Sequence, residues 1–194
     1  MIEILATVMG LIQGALVWAN KRSNWIFYCL QYVFMLIFSI QTKLYGDLTN
    51  SIVYFIVGVV GFILWNKQGG NVPIKNCSLK ERFVYLAIIS VLVAITYSIL
   101  KATSDPLPFL DSLTTVTGYA ATYYMLTKKV DAWVLWIIND ILYIVEYFLL
   151  SEKAWYLIAL NIIWTFMAIG SLITWKRIAD KICRNASNTT DFFH

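Results

Sequence analysis

Seven apolar blocks divide this chain almost from end to end: Ile4–Ala19, Trp25–Ile40, Tyr45–Trp65, Phe83–Leu100, Phe109–Leu126, Trp133–Leu150 and Trp155–Trp175. A helix crossing the hydrocarbon core of a bilayer needs about 20 mostly apolar residues. Inside lipid every backbone N–H and C=O must be paired within the protein, which leaves helices and closed barrels as the only spanning solutions. Barrel strands alternate apolar and polar residues. A run such as LAIISVLVAITYSIL, residues 86–100, does not alternate. The blocks therefore predict an all-α integral membrane protein with seven transmembrane helices. The second and sixth blocks are slightly short, which fits short loops and local tilt. Composition agrees. The chain is 60% hydrophobic and 13% charged, against roughly 45–50% and about 25% in soluble domains. The N-terminus has no basic n-region and the first block is long enough to remain as a span, so no cleaved leader is expected.

The basic residues predict the threading. Seven spans place the termini on opposite sides. One side receives Lys21, Arg22, Lys67, Lys75, Lys80, Arg82, Lys128, Lys129, Lys176, Arg177, Lys181 and Arg184, and the other only Lys43, Lys101 and Lys153. Lys and Arg are retained in the cytoplasm during insertion, so the N-terminus is expected outside and the C-terminus inside. The net charge of +4 is then a topology signal with an attraction to anionic lipid, and no nucleic-acid partner is expected.

Two stretches, NWIFYCLQY at 24–32 and AWVLWIIND at 132–140, share a pattern. Trp25, Tyr28 and Gln31 fall on Trp133, Trp136 and Asn139. The same alignment puts Gly10 on Gly118 and Lys21 on Lys129 and, with two residues of slippage, Trp65 on Trp175. Spans one to three thus resemble spans five to seven, with span four as a connector. An even number of spans separates equivalent helices, so the two repeats enter the membrane in the same direction, as parallel repeats. The expected organisation is a 3+1+3 arrangement. Its parts are a first three-helix repeat (1–66), a cytoplasmic loop and connector helix (67–104), a second three-helix repeat (105–176) and a cytoplasmic tail (177–194). In transporters built this way the substrate sits near the midplane where the repeats meet.

Successive helical residues turn by about 100°, which gathers Trp133, Trp136, Asp140, Tyr143 and Tyr147 into one arc of span six, flanked by Asn139 and Glu146. On span two the same positions are Trp25, Tyr28, Tyr32, Met35 and Ser39, flanked by Gln31. Such a surface suits a flat ring carrying a polar sugar: the ring stacks on the aromatic faces while amides and carboxylates take the hydroxyls. A cationic ring gains cation–π attraction as well. Asp140 is the sharpest candidate, because a carboxylate within a span is costly and faces a cavity or a partner. Trp133, Trp155 and Trp175 lie near span ends, where interfacial anchoring competes with binding. Asn161 with Trp164 on span seven, and Asn50 with Tyr54 on span three, are further pairs, which helix–helix glue explains equally well.

The segments KLYGDLTNSIVYFIVGVVGFILW and LPFLDSLTTVTGYAATYYMLTKKVDAWVLWIIND resemble the PnuC family of bacterial vitamin transporters, and the resemblance runs from Glu3 to Trp175. Its most specific pieces are the W-x-x-W of Trp133 and Trp136 followed by Asp140, and the PFLDSL entry with Asp111. The resemblance implies the SWEET-like 3+1+3 fold, a homotrimer in the bacterial inner membrane, and facilitated diffusion. The expected substrate is nicotinamide riboside, thiamine, riboflavin or a deoxynucleoside, trapped by a cytoplasmic vitamin kinase. It carries Trp133, Trp136 and Asn139 over as site residues. In the first repeat Tyr28 stands in place of the second tryptophan and Tyr32 in place of Asp140.

Asp140 and Glu146 incline the reading toward a cationic substrate, first nicotinamide riboside. The chain has no Walker-type loop to couple it to ATP. A membrane enzyme would need a nucleophile–base pair or metal ligands facing one cavity. The one histidine is His194, and Cys29, Cys77 and Cys183 are dispersed without metal or disulfide spacing. No catalytic residue, metal or cofactor is expected. The remaining rival is a vitamin receptor that binds without transport.

Overall fold

Each apolar block forms one helix. The computed structural model describes residues 2–42, 45–67, 73–103, 105–149 and 155–190; Lys43, Lys153 and His194 lie outside them. The helices are α1 (Ile2–Trp18), α2 (Asn24–Thr42), α3 (Tyr45–Lys67), α4 (Leu79–Leu100), α5 (Pro108–Leu126), α6 (Asp131–Leu149) and α7 (Trp155–Thr190). Five of them, α2, α3, α4, α6 and α7, are long and apolar enough to cross a membrane. The other two fall short of that measure for different reasons. The apolar stretch of α1 is shorter, Ile4–Trp18, and α5 gives up hydropathy to Ser112, Thr114, Thr115, Thr117 and Thr122.

The last block ends at Trp175 in the sequence, yet α7 continues to Thr190 and has 36 residues. The segment expected as a tail is helical because Ile178, Ala179 and Ile182 keep the three-and-four spacing of an apolar face, and Ala179 is fully buried. At 1.5 Å per residue α7 is about 54 Å long, well beyond the roughly 30 Å of a hydrocarbon core.

The chain forms two compact units, Met1–Val72 and Pro73–His194. In the first, α2 packs against both α1 and α3. In the second, α6 packs against both α5 and α7, and α4 packs against α5. Glycines set the closest approach in the first unit. A Cβ on Gly61 would lie 2.5 Å from the Trp25 ring, and one on Gly58 2.7 Å from Cys29 Sγ. On α7, small Ala168 and Ser171 are buried as well.

The α1–α2 and α5–α6 turns are built alike. Asn20 has φ 52° and Lys128 has φ 53°. In the first turn Asn20 N donates to Val17 O at 2.9 Å and Lys21 N to Leu16 O at 2.8 Å. In the second, Lys128 N donates to Met125 O at 3.1 Å and Lys129 N to Tyr124 O at 2.9 Å. Both are Schellman helix ends, closed by a left-handed residue that satisfies the last carbonyls. The two left-handed residues occupy equivalent repeat positions.

The stretch before α4 is fastened to the α5–α6 turn. Lys75 N donates to Lys128 O at 3.1 Å, Val130 N donates to Lys75 O at 2.9 Å, and Cys77 N donates to Asp131 Oδ2 at 2.9 Å. Arg82 Nε meets Asp131 Oδ1 at 2.7 Å and Lys129 Nζ meets Glu81 Oε1 at 2.9 Å. Ser78 begins α4 with a capping box, its Oγ accepting from Glu81 N while Glu81 Oε2 accepts from Ser78 N. Burial, then the Asp131 carboxylate, push the Cys77 thiol up to about 11. Burial lowers the Lys128 ammonium, and the bond to Glu81 raises that of Lys129. Asp131→Ala removes the acceptor of a buried backbone N–H and is expected to cost about 1.5–3 kcal/mol. Arg82→Ala, at a half-exposed pair, is expected to cost under about 1 kcal/mol. Thermal unfolding in detergent checks the difference; equal losses would mean that the ion pair, not the N–H, holds the stretch.

Candidate functional site

Trp133 and Trp175 pack together in the second unit. Their rings meet edge to face, centroids 5.2 Å apart at 84°. Trp25 and Trp65 do the same in the first unit, 5.6 Å apart at 84°. Trp25, Trp65 and Trp175 are at most 1% exposed and Trp133 is 5% exposed. Interfacial anchoring therefore does not describe Trp133 or Trp175, which are packed inside their unit, whereas Trp155 is 63% exposed. The indole Nε1 atoms of Trp25 and Trp133 are buried with no acceptor among the described residues.

Nearly two turns beyond Trp133, α6 turns polar. Asn139 and Asp140 are 1% and 3% exposed. Asn139 Nδ2 donates to Thr114 O at 2.6 Å and to Thr117 Oγ1 at 2.8 Å, both on α5. Trp136 is half-buried. Tyr143 and Tyr147 stack in parallel, 5.5 Å apart at 14°. Glu146 Oε2 accepts from Thr114 Oγ1 at 3.1 Å, and Asp111 Oδ1 accepts from Thr115 Oγ1 at 3.1 Å. On α7, Asn161 is 3% exposed; its Nδ2 donates to Leu157 O at 2.8 Å and its Oδ1 is buried with no donor among the described residues. Trp164, one turn on, is half-buried. The second unit thus brings Trp133, Trp136, Asn139, Asp140, Tyr143 and Tyr147 onto α6, with Asn161 and Trp164 on the α7 that packs against it.

The first unit holds an aromatic cluster instead. Trp25 meets Tyr28 at 5.4 Å, Tyr28 meets Tyr32 at 4.9 Å, and Tyr32 stacks on Tyr54 at 5.0 Å and 21°. Gln31 lies against α1, where a Cβ on Gly10 would come within 3.0 Å of its amide. Both repeat amides, Gln31 and Asn139, therefore rest on the preceding helix. Asn50 is exposed on α3, while its neighbour Ser51 is the buried polar residue at this level. Counting back from the tryptophans, Ser51 and Tyr54 precede Trp65 by the same spacing as Asn161 and Trp164 precede Trp175. That spacing was the available signal for Ser51. Thr114 and Thr117 had none, because a threonine facing a neighbouring helix reads like any other threonine.

A family model described as nicotinamide mononucleotide transporter matches residues 1–177. The nicotinamide riboside transporter PnuC of Neisseria mucosa is 25% identical over 190 residues, which span 91% of this chain and 72% of that one. The nicotinamide riboside transporter PnuC of Escherichia coli is 25% identical over 204 residues, which span 90% and 84%. The crystal structure of the vitamin B3 transporter PnuC aligns with a TM-score of 0.76 at 23% identity, covering 93% of this chain and 82% of that one.

Proposed function

This chain belongs to the nicotinamide mononucleotide transporter family, and from that premise we propose that it takes up nicotinamide riboside by facilitated diffusion. It is a multi-pass membrane transporter of the PnuC kind, and its relatives are named as transporters, not enzymes. One observation carries the riboside over the mononucleotide. No Lys, Arg or His lies within Pro108–Leu126, Asp131–Leu149 or Trp155–Trp175, whereas Asp140 and Glu146 do. A phosphate entering these helices would be a buried anion without a cation, which is costly. A cationic nicotinamide ring with a neutral ribose meets aromatic faces and carboxyl groups instead.

In this reading Trp133, Trp136, Asn139, Asp140, Tyr143, Tyr147, Asn161 and Trp164 bind substrate in the second repeat, with Tyr28, Gln31 and Asn50 contributed by the first. The 3+1+3 arrangement, rocking as a uniporter, rests on the sequence repeat. The homotrimer rests on the family resemblance. The inner-membrane placement with the C-terminus inside rests on the distribution of basic residues. Phosphorylation by a cytoplasmic kinase gives uptake its direction, since the product gains up to two negative charges at neutral pH and no longer fits.

Liposomes containing purified protein test this. Radiolabelled nicotinamide riboside is expected to equilibrate without ATP or an ion gradient, and excess unlabelled mononucleotide is expected not to compete. Absence of flux, dependence on sodium or a proton gradient, or equal competition by the mononucleotide would overturn the proposal.

A further inference from the structure

The hydrogens around Asn139 can be assigned one by one. Thr114 O is a carbonyl and only accepts, so the Asn139 atom 2.6 Å from it is the nitrogen. The Thr117 hydroxyl donates its single hydrogen to Leu113 O, one turn back on α5. Toward Asn139, at 2.8 Å, Thr117 Oγ1 therefore acts as an acceptor. A primary amide has two N–H donors and one carbonyl acceptor. Both donors are taken by α5, and what Asn139 has left to offer is Oδ1.

We infer that Thr114 and Thr117 are positioning residues that fix Asn139 as a one-sided hydrogen-bond acceptor, so that the site selects a substrate group that donates. A sugar hydroxyl or an amide N–H meets this demand, and an acceptor-only group such as a carboxylate or an ester does not. The inference rests on the reading of Asn139 as a substrate contact. A rotating amide would offer either a donor or an acceptor to the substrate and discriminate poorly; the α5 contacts remove that freedom. Thr114 is well placed for the task, because its hydroxyl also meets Glu146 Oε2 at 3.1 Å and so ties two α6 side chains to one α5 residue. Among the described residues, the Thr117 hydroxyl bonds to α6 through Asn139 alone.

The test is a double-mutant cycle on the purified full chain, reading nicotinamide riboside Kd and melting temperature together. Asn139→Leu removes the acceptor and is expected to weaken binding about tenfold. Thr117→Val removes the bond to Nδ2 and is expected to weaken binding about three- to tenfold, the size of one lost hydrogen bond. Thr117→Ser keeps both the donation to Leu113 and the acceptance from Asn139, and is expected to bind like the parent. In the Asn139→Leu background Thr117→Val should add nothing to the loss of binding. If Thr117→Val does not fold, Thr117→Ala is read in the same way. A Thr117→Val protein that melts lower but binds normally, while Asn139→Leu binds poorly, overturns the positioning role and leaves the site intact. Equal losses from Thr117→Val in both backgrounds also overturn it. Normal binding by Asn139→Leu overturns the underlying assignment of Asn139 to the site.

Discussion

Trp175→Ala is expected to destabilise the second unit by about 3–5 kcal/mol, the usual cost of emptying a buried aromatic site. Trp175 has no exposed surface and meets Trp133 edge to face. The loss combines the apolar area, the cavity left behind and an aromatic pair worth about 0.5–1.5 kcal/mol. Collapse cannot fill the space cheaply, because Ser171 and Ala179, one turn away on either side, are themselves buried. Trp155→Ala is the internal control: at 63% exposure it is expected to shift stability by no more than about 0.5 kcal/mol. Thermal unfolding in detergent compares the two. Equal shifts would show that Trp175 is not the packed centre of its unit. Trp65→Ala is expected to reproduce the large effect in the first unit, since Trp65 is 1% exposed and faces Trp25 at the same angle.

Trp136→Ala is expected to weaken nicotinamide riboside binding by about 1–3 kcal/mol, the range for a base ring stacking on an aromatic side chain. Stability should change little by comparison. Trp136 stands one turn after buried Trp133 and one turn before buried Asp140, yet is itself only half-buried. A ring in that position has surface left over from packing, which a guest can cover. Trp136→Phe keeps a smaller face and should retain part of the affinity. Titration of the ligand onto purified protein reads both variants. Unchanged affinity in Trp136→Ala would mean that the half-buried ring faces acyl chains instead of substrate.

Much of this architecture was legible in the sequence because the bilayer imposes long apolar runs. The alignment that sets Trp25 on Trp133 and Trp65 on Trp175 puts equivalent residues at two edge-to-face contacts, Trp25 with Trp65 and Trp133 with Trp175, both at 84°. What escaped had no local signature. The left-handed turn residues Asn20 and Lys128 are equivalent, but only Asn favours that conformation. Lys128 is held there by the helix end around it. The fastening of Lys75 and Cys77 to the α5–α6 turn joins residues some fifty positions apart, Lys75 wholly through backbone groups, which every residue carries, and Cys77 through its N–H to the Asp131 carboxylate. On α3 the amide of Asn50 is the more conspicuous polar group in the sequence, while the neighbouring Ser51 is the buried one. Burial depends on which face of α3 meets α2, and Ser51 lies on that face by the same spacing as Gly58 and Trp65.

The overrun of α7 has a practical side. Cys183 sits on it, exposed, eight residues past Trp175, or about 12 Å further along the axis. Cys77 is buried and held as a thiol. A maleimide dye or spin label on Cys183 would ride a stiff arm continuous with the helix that packs against α6. Any tilt of that helix during the transport cycle would reach the label as a swing, readable once the half-buried Cys29 is replaced.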